Sequence, residues 1–195
     1  MVKYLRRTPN ETEEAFEKAL LDVEGILPPE VRTADTQAVT NAILRKLDIL
    51  QDRAKKLKMV RTLAHFEAPW VPSVFFELLG DGIEEVRDLA VRELIRRVDW
   101  PSASLYARLE RPPWYAKSAA LRILAQRKEK DAVPHIKRLL DDPNVDVKRS
   151  AAFALGAIGG QESRCLLVRL SRDKSRYVRT AAEEMLERLC DFKFS

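Results

Sequence analysis

Three arginines, Arg108, Arg138 and Arg169, recur at nearly one offset along the chain. A guanidinium is a planar fork of donors that can hold a carboxylate or a phosphate through two bonds at once, so a row of them is a candidate anion-binding track. Lys137, Arg164 and Arg172 flank the row. Arg111 and Trp114 add a place where basic and aromatic residues coincide, and a tryptophan there can anchor a partner. Trp100, Trp114 and Tyr115 can equally fill a gap between helices. No aspartate accompanies the row at a fixed spacing, although Glu110 and Asp141 are near enough to neutralise part of it. The competing reading of the row is a solvated helix face.

Other chemistry has less to work with. The chain contains 2 histidines, His65 and His135, and neither belongs to a nucleophile–base–acid set, since no Gly-x-Ser-x-Gly turn or activated cysteine context accompanies them. Phosphate-cradling glycine loops, dinucleotide fingerprints and carboxylate-rich metal clusters are missing from the sequence. Cys165 and Cys190 have neither a disulfide-framework nor a zinc spacing and read as small buried hydrophobes within helices. The expectation is therefore a protein with no catalytic, cofactor or metal residues.

Composition narrows the class further. A chain of 195 residues supports one domain, or one domain and a small extension. Charged residues make up 33% of it, which suits exposed helix faces, and with 6 glycines and little β-branched alternation a sheet is disfavoured. A net charge of +5 and a pI near 9.3 favour an acidic partner without demanding nucleic acid. The opening MVKYLRR lacks an apolar stretch behind its charges, and no run reaches membrane length, so a cytoplasmic protein is expected.

The elements that position the arginines are clearest between Asp142 and Leu170. Asp142 is placed to cap a helix beginning at Pro143. Val147, Ala151, Phe153, Ala154, Leu155 and Ile158 supply its apolar side. Gly159-Gly160 ends it, because glycine tolerates the positive φ of a C-cap. Leu166, Leu167 and Leu170 give the following helix its own apolar face. Two helices this short cannot bury those faces alone, so the unit needs neighbours.

Copies of the unit supply them at a period of about 31 residues. Val86, Ala116, Val147 and Val178 form one column. Ala90, Ala120, Ala151 and Ala182 form a second, and Leu94, Leu124, Leu155 and Leu186 a third. Leu109, Leu139 and Leu170 repeat in the second helix. A basic column runs through Arg87, Lys117, Lys148 and Arg179, and six residues earlier stand Asp81, Arg111, Asp142 and Asp173. These columns, with Asp142-Pro143, Val147-Lys148, Ala151 and Leu155-Gly156-Ala157-Ile158-Gly159, resemble the HEAT repeat in its short bacterial form named after the phycobilisome lyases. The resemblance covers roughly Asp81 to Leu189. It implies an all-α, right-handed α-α superhelix whose second helices, and hence the arginine row, line the concave side. It also implies an Asp–Arg/Lys ladder between units, carried by Asp81/Arg87, Asp142/Lys148 and Asp173/Arg179. At Arg111/Lys117 two cations stand instead, and the solenoid is expected to bend, open or meet an acidic group. Iron-dependent HEAT enzymes use His-Glu pairs as ligands; here His65 precedes Phe66 and His135 precedes Ile136.

Upstream, Thr8-Pro9-Asn10-Glu11 reads as a capped helix start, followed by Ala15, Phe16, Ala19, Leu20 and Val23 at helical spacing. From Asp35 a narrow seam of Val39, Ile43, Leu47, Leu50, Ala54 and Leu57 predicts one long helix, or two with a break near Asp52 to Lys58. Residues 1–54 are expected to be a helical cap for the open end of a solenoid over residues 55–195; a coiled-coil seam is the alternative. Lys55 to Leu79 reads as a degenerate first repeat, and Asp81 to Glu84 as a second capping box. The final unit has a first helix only, with Phe192 and Phe194 folding back over it. The function expected is a non-enzymatic scaffold that binds an acidic protein on its concave face. Nucleic-acid binding through that basic face is the first alternative, and a phycobilin lyase-type subunit, which rests on the resemblance alone, is the second.

Overall fold

The structure is a computed structural model that describes residues 36–97 and 100–191. The helix expected near Thr8 and the fold-back of Phe192 and Phe194 lie outside the described residues. Among the described residues every regular element is helical: α1 (Thr36–Ile49), α2 (Arg53–Leu63), α3 (Val71–Leu78), α4 (Glu84–Arg96), α5 (Ala103–Leu109), α6 (Trp114–Gln126), α7 (Val133–Arg138), α8 (Val145–Ile158), α9 (Gln161–Leu170) and α10 (Arg176–Asp191), with short 3-10 turns on both sides of α7. No helix among them is long and apolar enough to cross a membrane. The chain divides into two compact units, Met1–Glu93 and Leu94–Ser195.

In the first unit the expected long seam is two helices. Asp52 ends the run, because its carboxylate accepts the Lys55 N–H at 3.0 Å and so caps α2. Val39, Ile43 and Leu47 are buried where α1 packs on α3, but Ala54 is exposed, so the seam does not continue as a coiled-coil stripe. Val74, Phe75, Leu78 and Leu79 fill the centre of this unit together with Val60 and Leu63.

The second unit is a stack of two layers. The first helices α6, α8 and α10 lie side by side, with α8 packed on both of its neighbours. The second helices α5, α7 and α9 form the other layer, α5 against α6 and α9 against α8 and α10. The repeated alanines set the spacing of the first layer. Ala116, Ala120, Ala151 and Ala182 are fully buried, and small side chains allow backbones to approach. Gly156 extends that approach: a Cβ there would lie 2.6 Å from Met185 Sδ and 2.7 Å from Met185 Cβ on α10. Gly159 and Gly160 turn α8 into α9 with φ of 72° and 89°, values that glycine adopts without steric cost.

The structure corrects three of the expectations for this unit. α8 begins at Val145 rather than Pro143, because Asn144 is its cap: its side-chain oxygen accepts the Asp146 and Val147 N–H groups at 2.8 and 3.3 Å. Phe153 is 39% exposed rather than core; it lines a surface groove with Arg149 and with Tyr177 and Thr180 of α10. Cys165 is exposed and Cys190 half-buried, so neither is a buried hydrophobe; Arg164 Nη2 donates to Cys190 Sγ at 3.4 Å.

One residue secures the start of the stack. Arg127, the C-cap of α6, donates to the carbonyls of Leu94, Arg97 and Trp100 at 2.6, 2.8 and 2.9 Å. Leu94 belongs to the last turn of α4 and Arg97 and Trp100 to the segment after it, and one guanidinium can serve several carbonyls at once. Burial pulls the Arg127 pKa down, with the nearby Glu129 charge opposing it.

Candidate functional site

The loops before α4, α8 and α10 carry the chemistry that organises the repeats. Asp81, Asp142 and Asp173 all use one carboxylate oxygen to accept the N–H two residues on, from Ile83, Asn144 and Ser175, at 2.8, 2.9 and 2.8 Å. This is an Asx turn, which folds the loop locally. The second oxygen takes a lysine ammonium from the preceding repeat. Lys56–Asp81 is 2.5 Å, and Lys117–Asp142 and Lys148–Asp173 are both 2.7 Å. The ladder therefore joins residues 25 apart, not the six-residue pairs that the sequence had offered. Lys117 is consequently ion-paired in spite of Arg111.

The basic column divides by residue type. Its lysines stand where an aspartate follows in the next loop. Arg87 and Arg179 each reach their own loop: Arg87 Nη1 donates to the carbonyls of Asp81 and Gly82 at 2.8 and 3.0 Å, and Arg179 Nη1 to those of Asp173 and Lys174 at 2.9 and 3.0 Å. A forked guanidinium can reach two carbonyls, whereas an ammonium suits one carboxylate. Burial raises the Asp173 pKa, but the Lys148 hydrogen bond, the Ser175 N–H and the charges of Lys148 and Arg179 outweigh it and hold the carboxyl below its ordinary value.

A second row of ion pairs runs along the ends of the second helices. Arg138 reaches Glu110 at 2.5 Å and Arg169 reaches Asp141 at 2.7 Å, in both cases across 28 residues. The arginine row thus does have acidic partners at a fixed spacing, each in the repeat before. Unlike the first row it lies in water, with side-chain exposures of 52% for Arg169 and 72% for Asp141 against 15% for Lys148 and 13% for Asp173.

The two rows meet at a groove of about 730 Å³ in the second unit. One wall is Leu140 to Pro143 with Lys148; the other is the exposed side of α9, from Cys165 to Arg169, and the loop up to Lys174. Each of its carboxylates is held: Asp141 by Arg169, Asp142 by Lys117 and Asp173 by Lys148. Arg172 and Lys174 line the same groove and have no ion-pair partner among the described residues. Val168, 41% exposed, supplies an apolar patch beside them.

Residues 102–187 match the family of HEAT repeats. That stretch is built of HEAT repeats. No curated protein sequence matches the chain. Among solved structures it is similar to a designed armadillo repeat protein, with 19% identity over 93% of this chain and 96% of the other and a TM-score of 0.46. Computationally designed armadillo repeat proteins for modular peptide recognition give 20% identity over 90% and 86%, with a TM-score of 0.49. A designed armadillo repeat protein in complex with the peptide (KR)4 gives 19% identity over 90% and 86%, with a TM-score of 0.48.

The HEAT repeats distribute the sequence candidates unevenly. Arg169 and Arg172 come together at the groove, with Arg138 on the same row one repeat earlier. Lys137 is exposed on α7 outside the groove. Arg164 is turned to Cys190, and Arg108 is half-buried on α5. Arg111 is exposed in the loop before α6. Trp114 is 45% exposed at the start of α6 and packs edge-on against Tyr115, with ring centroids 5.7 Å apart. His135 is stacked on Tyr106 at 4.4 Å, a packing contact between α7 and α5. Burial first, then the Glu129 and Asp131 charges, raises the Tyr106 pKa.

The sequence reading missed Lys56, Val168 and Lys174. Lys56 was detectable, since it lies one period before Arg87 in the basic column. Val168 and Lys174 give no comparable signal; only the placement of α9 and its following loop brings them together.

Proposed function

We propose that this protein is a non-enzymatic interaction module that binds an acidic partner protein through the second-helix side of its C-terminal unit. The observation that supports this reading is the charge of the groove beside α9. Its carboxylates are already held by cations of the chain, and Arg172 and Lys174 remain to meet a partner. Arg138 and Arg169, in exposed and exchangeable pairs, extend the favourable field along the row, with Lys137, Arg111 and Arg164 around it. Half-buried Arg108 and Trp114, 45% exposed, are the remaining candidates for contact with the partner. Charges in such positions steer encounter and set specificity more than they add affinity. Stacked helices hold them in register before binding, so little ordering cost is incurred.

Affinity capture from the native host at low and high salt tests the reading. A specific protein retained by the wild type and lost by Arg138→Glu/Arg169→Glu, with an unchanged melting temperature, is the expected result. Retention by the double variant contradicts the reading. A duplex DNA bound with a steep fall in affinity as salt rises would move the protein to the nucleic-acid class.

A further inference from the structure

The exposed row changes sign at its last step. Glu110 lies two residues after Arg108, and Asp141 three residues after Arg138; each takes the arginine of the following repeat. After Arg169 come Leu170, Ser171 and Arg172, so a cation stands where the earlier repeat presents the carboxylate of Asp141. The described second helices end with α9. Among the described residues the row's last step is a guanidinium that lines the groove, with Lys174 on the same wall.

We infer that this end position binds a carboxylate from an acidic peptide segment of the partner, which completes the row from outside. The inference rests on the protein-binding reading and specifies its contact. Arg169 shows how the chain itself makes such a bond, since its Nη2 lies 2.7 and 2.9 Å from the two oxygens of Asp141. Arg172 is the same side chain three residues later, exposed and not occupied by any described acid. The groove's own acids cannot compete for it without breaking pairs at 2.7 Å with Lys117, Lys148 or Arg169. A basic segment meets repulsion from Arg172 and Lys174, which sets the sign of the occupant. The groove runs past Val168, so a residue next to the bound carboxylate has an apolar surface to cover. An extended peptide suits this arrangement, because its backbone can lie between the loop at Leu140–Pro143 and α9 while alternate side chains face the wall.

The test uses the full chain and fluorescence anisotropy of a labelled octaglutamate peptide. Octalysine and a single-stranded DNA oligonucleotide serve as comparison probes. Arg172→Glu is compared with Arg45→Glu, which makes the same substitution at an exposed position of α1, outside the groove and the arginine row. Arg172→Glu is expected to weaken octaglutamate at least about tenfold, and Arg45→Glu by less than about threefold, with both variants melting like the wild type. Octalysine is expected not to bind. Equal weakening by the two variants overturns the inference, because bulk charge then explains the binding. So does an absence of octaglutamate binding to the wild type, or displacement of the peptide by the oligonucleotide at lower concentration. Host-protein capture by the wild type alongside any of these results leaves the broader protein-binding reading standing and removes only the assignment of Arg172.

Discussion

Two sets of ion pairs recur in these repeats, built from the same kinds of charge. The inner row, Lys56–Asp81, Lys117–Asp142 and Lys148–Asp173, is largely withdrawn from water. The outer row, Arg138–Glu110 and Arg169–Asp141, is exposed. Their different settings give them different work. A charge taken out of water must be matched, so losing one partner of an inner pair leaves the other stranded. An outer pair exchanges freely with solvent and contributes little to folding, which leaves its members free to exchange with the charges of a partner. The loops agree with this division. Every inner aspartate is also fixed by an Asx turn, whereas among the described residues neither outer acid accepts a backbone N–H.

Removing an inner cation tests the difference at its largest. Lys148→Ala leaves the largely covered Asp173 with its Ser175 N–H bond but without its ammonium. A loss of about 3 kcal/mol in unfolding free energy is expected from urea denaturation. A change smaller than about 0.5 kcal/mol would mean that the inner row is as solvated in its effect as the outer one.

Acid titration sharpens the same point with the native sequence. The Asp173 carboxyl has a folded-state pKa below its unfolded value. Its contribution is therefore fully present above the ordinary carboxylate range and is lost as pH falls from that range through the folded-state value. The wild type is expected to lose stability over this acidic interval more steeply than Asp173→Asn. Parallel pH–stability curves for the two proteins would contradict the shift. The smallest effect belongs to the outer row: Arg138→Ala is expected to move the unfolding free energy by less than about 1 kcal/mol, measured in the same urea series. A larger loss would show that Glu110 and Arg138 hold the stack.

Much of the fold was legible because repetition is a property of the sequence itself. The alanine and leucine columns named the buried faces of α6 and α8, and Gly159-Gly160 marked the turn between α8 and α9. The misreadings have physical origins. Asp142 looks like a helix cap by residue type, but Asn144 two residues later is better placed, and Asp142 forms the turn that presents it. A ladder between units was legible, but its pairs were not: six residues is the visible spacing of aspartate and cation, while each lysine bridges to the aspartate 25 residues on, in the adjacent repeat. Phe153 and Cys165 lie at positions where helical periodicity alone cannot decide which side a neighbouring repeat will cover. The groove was not legible, since Val168, Arg172 and Lys174 come together only through the turn that follows α9.

Two double-mutant cycles measured by urea denaturation test the division between the rows most directly. One uses Lys148→Ala and Asp173→Ala, the other Arg169→Ala and Asp141→Ala. The account predicts a coupling of about 2 kcal/mol or more for the first and less than about 1 kcal/mol for the second. Equal couplings, or a larger one in the exposed pair, would contradict it.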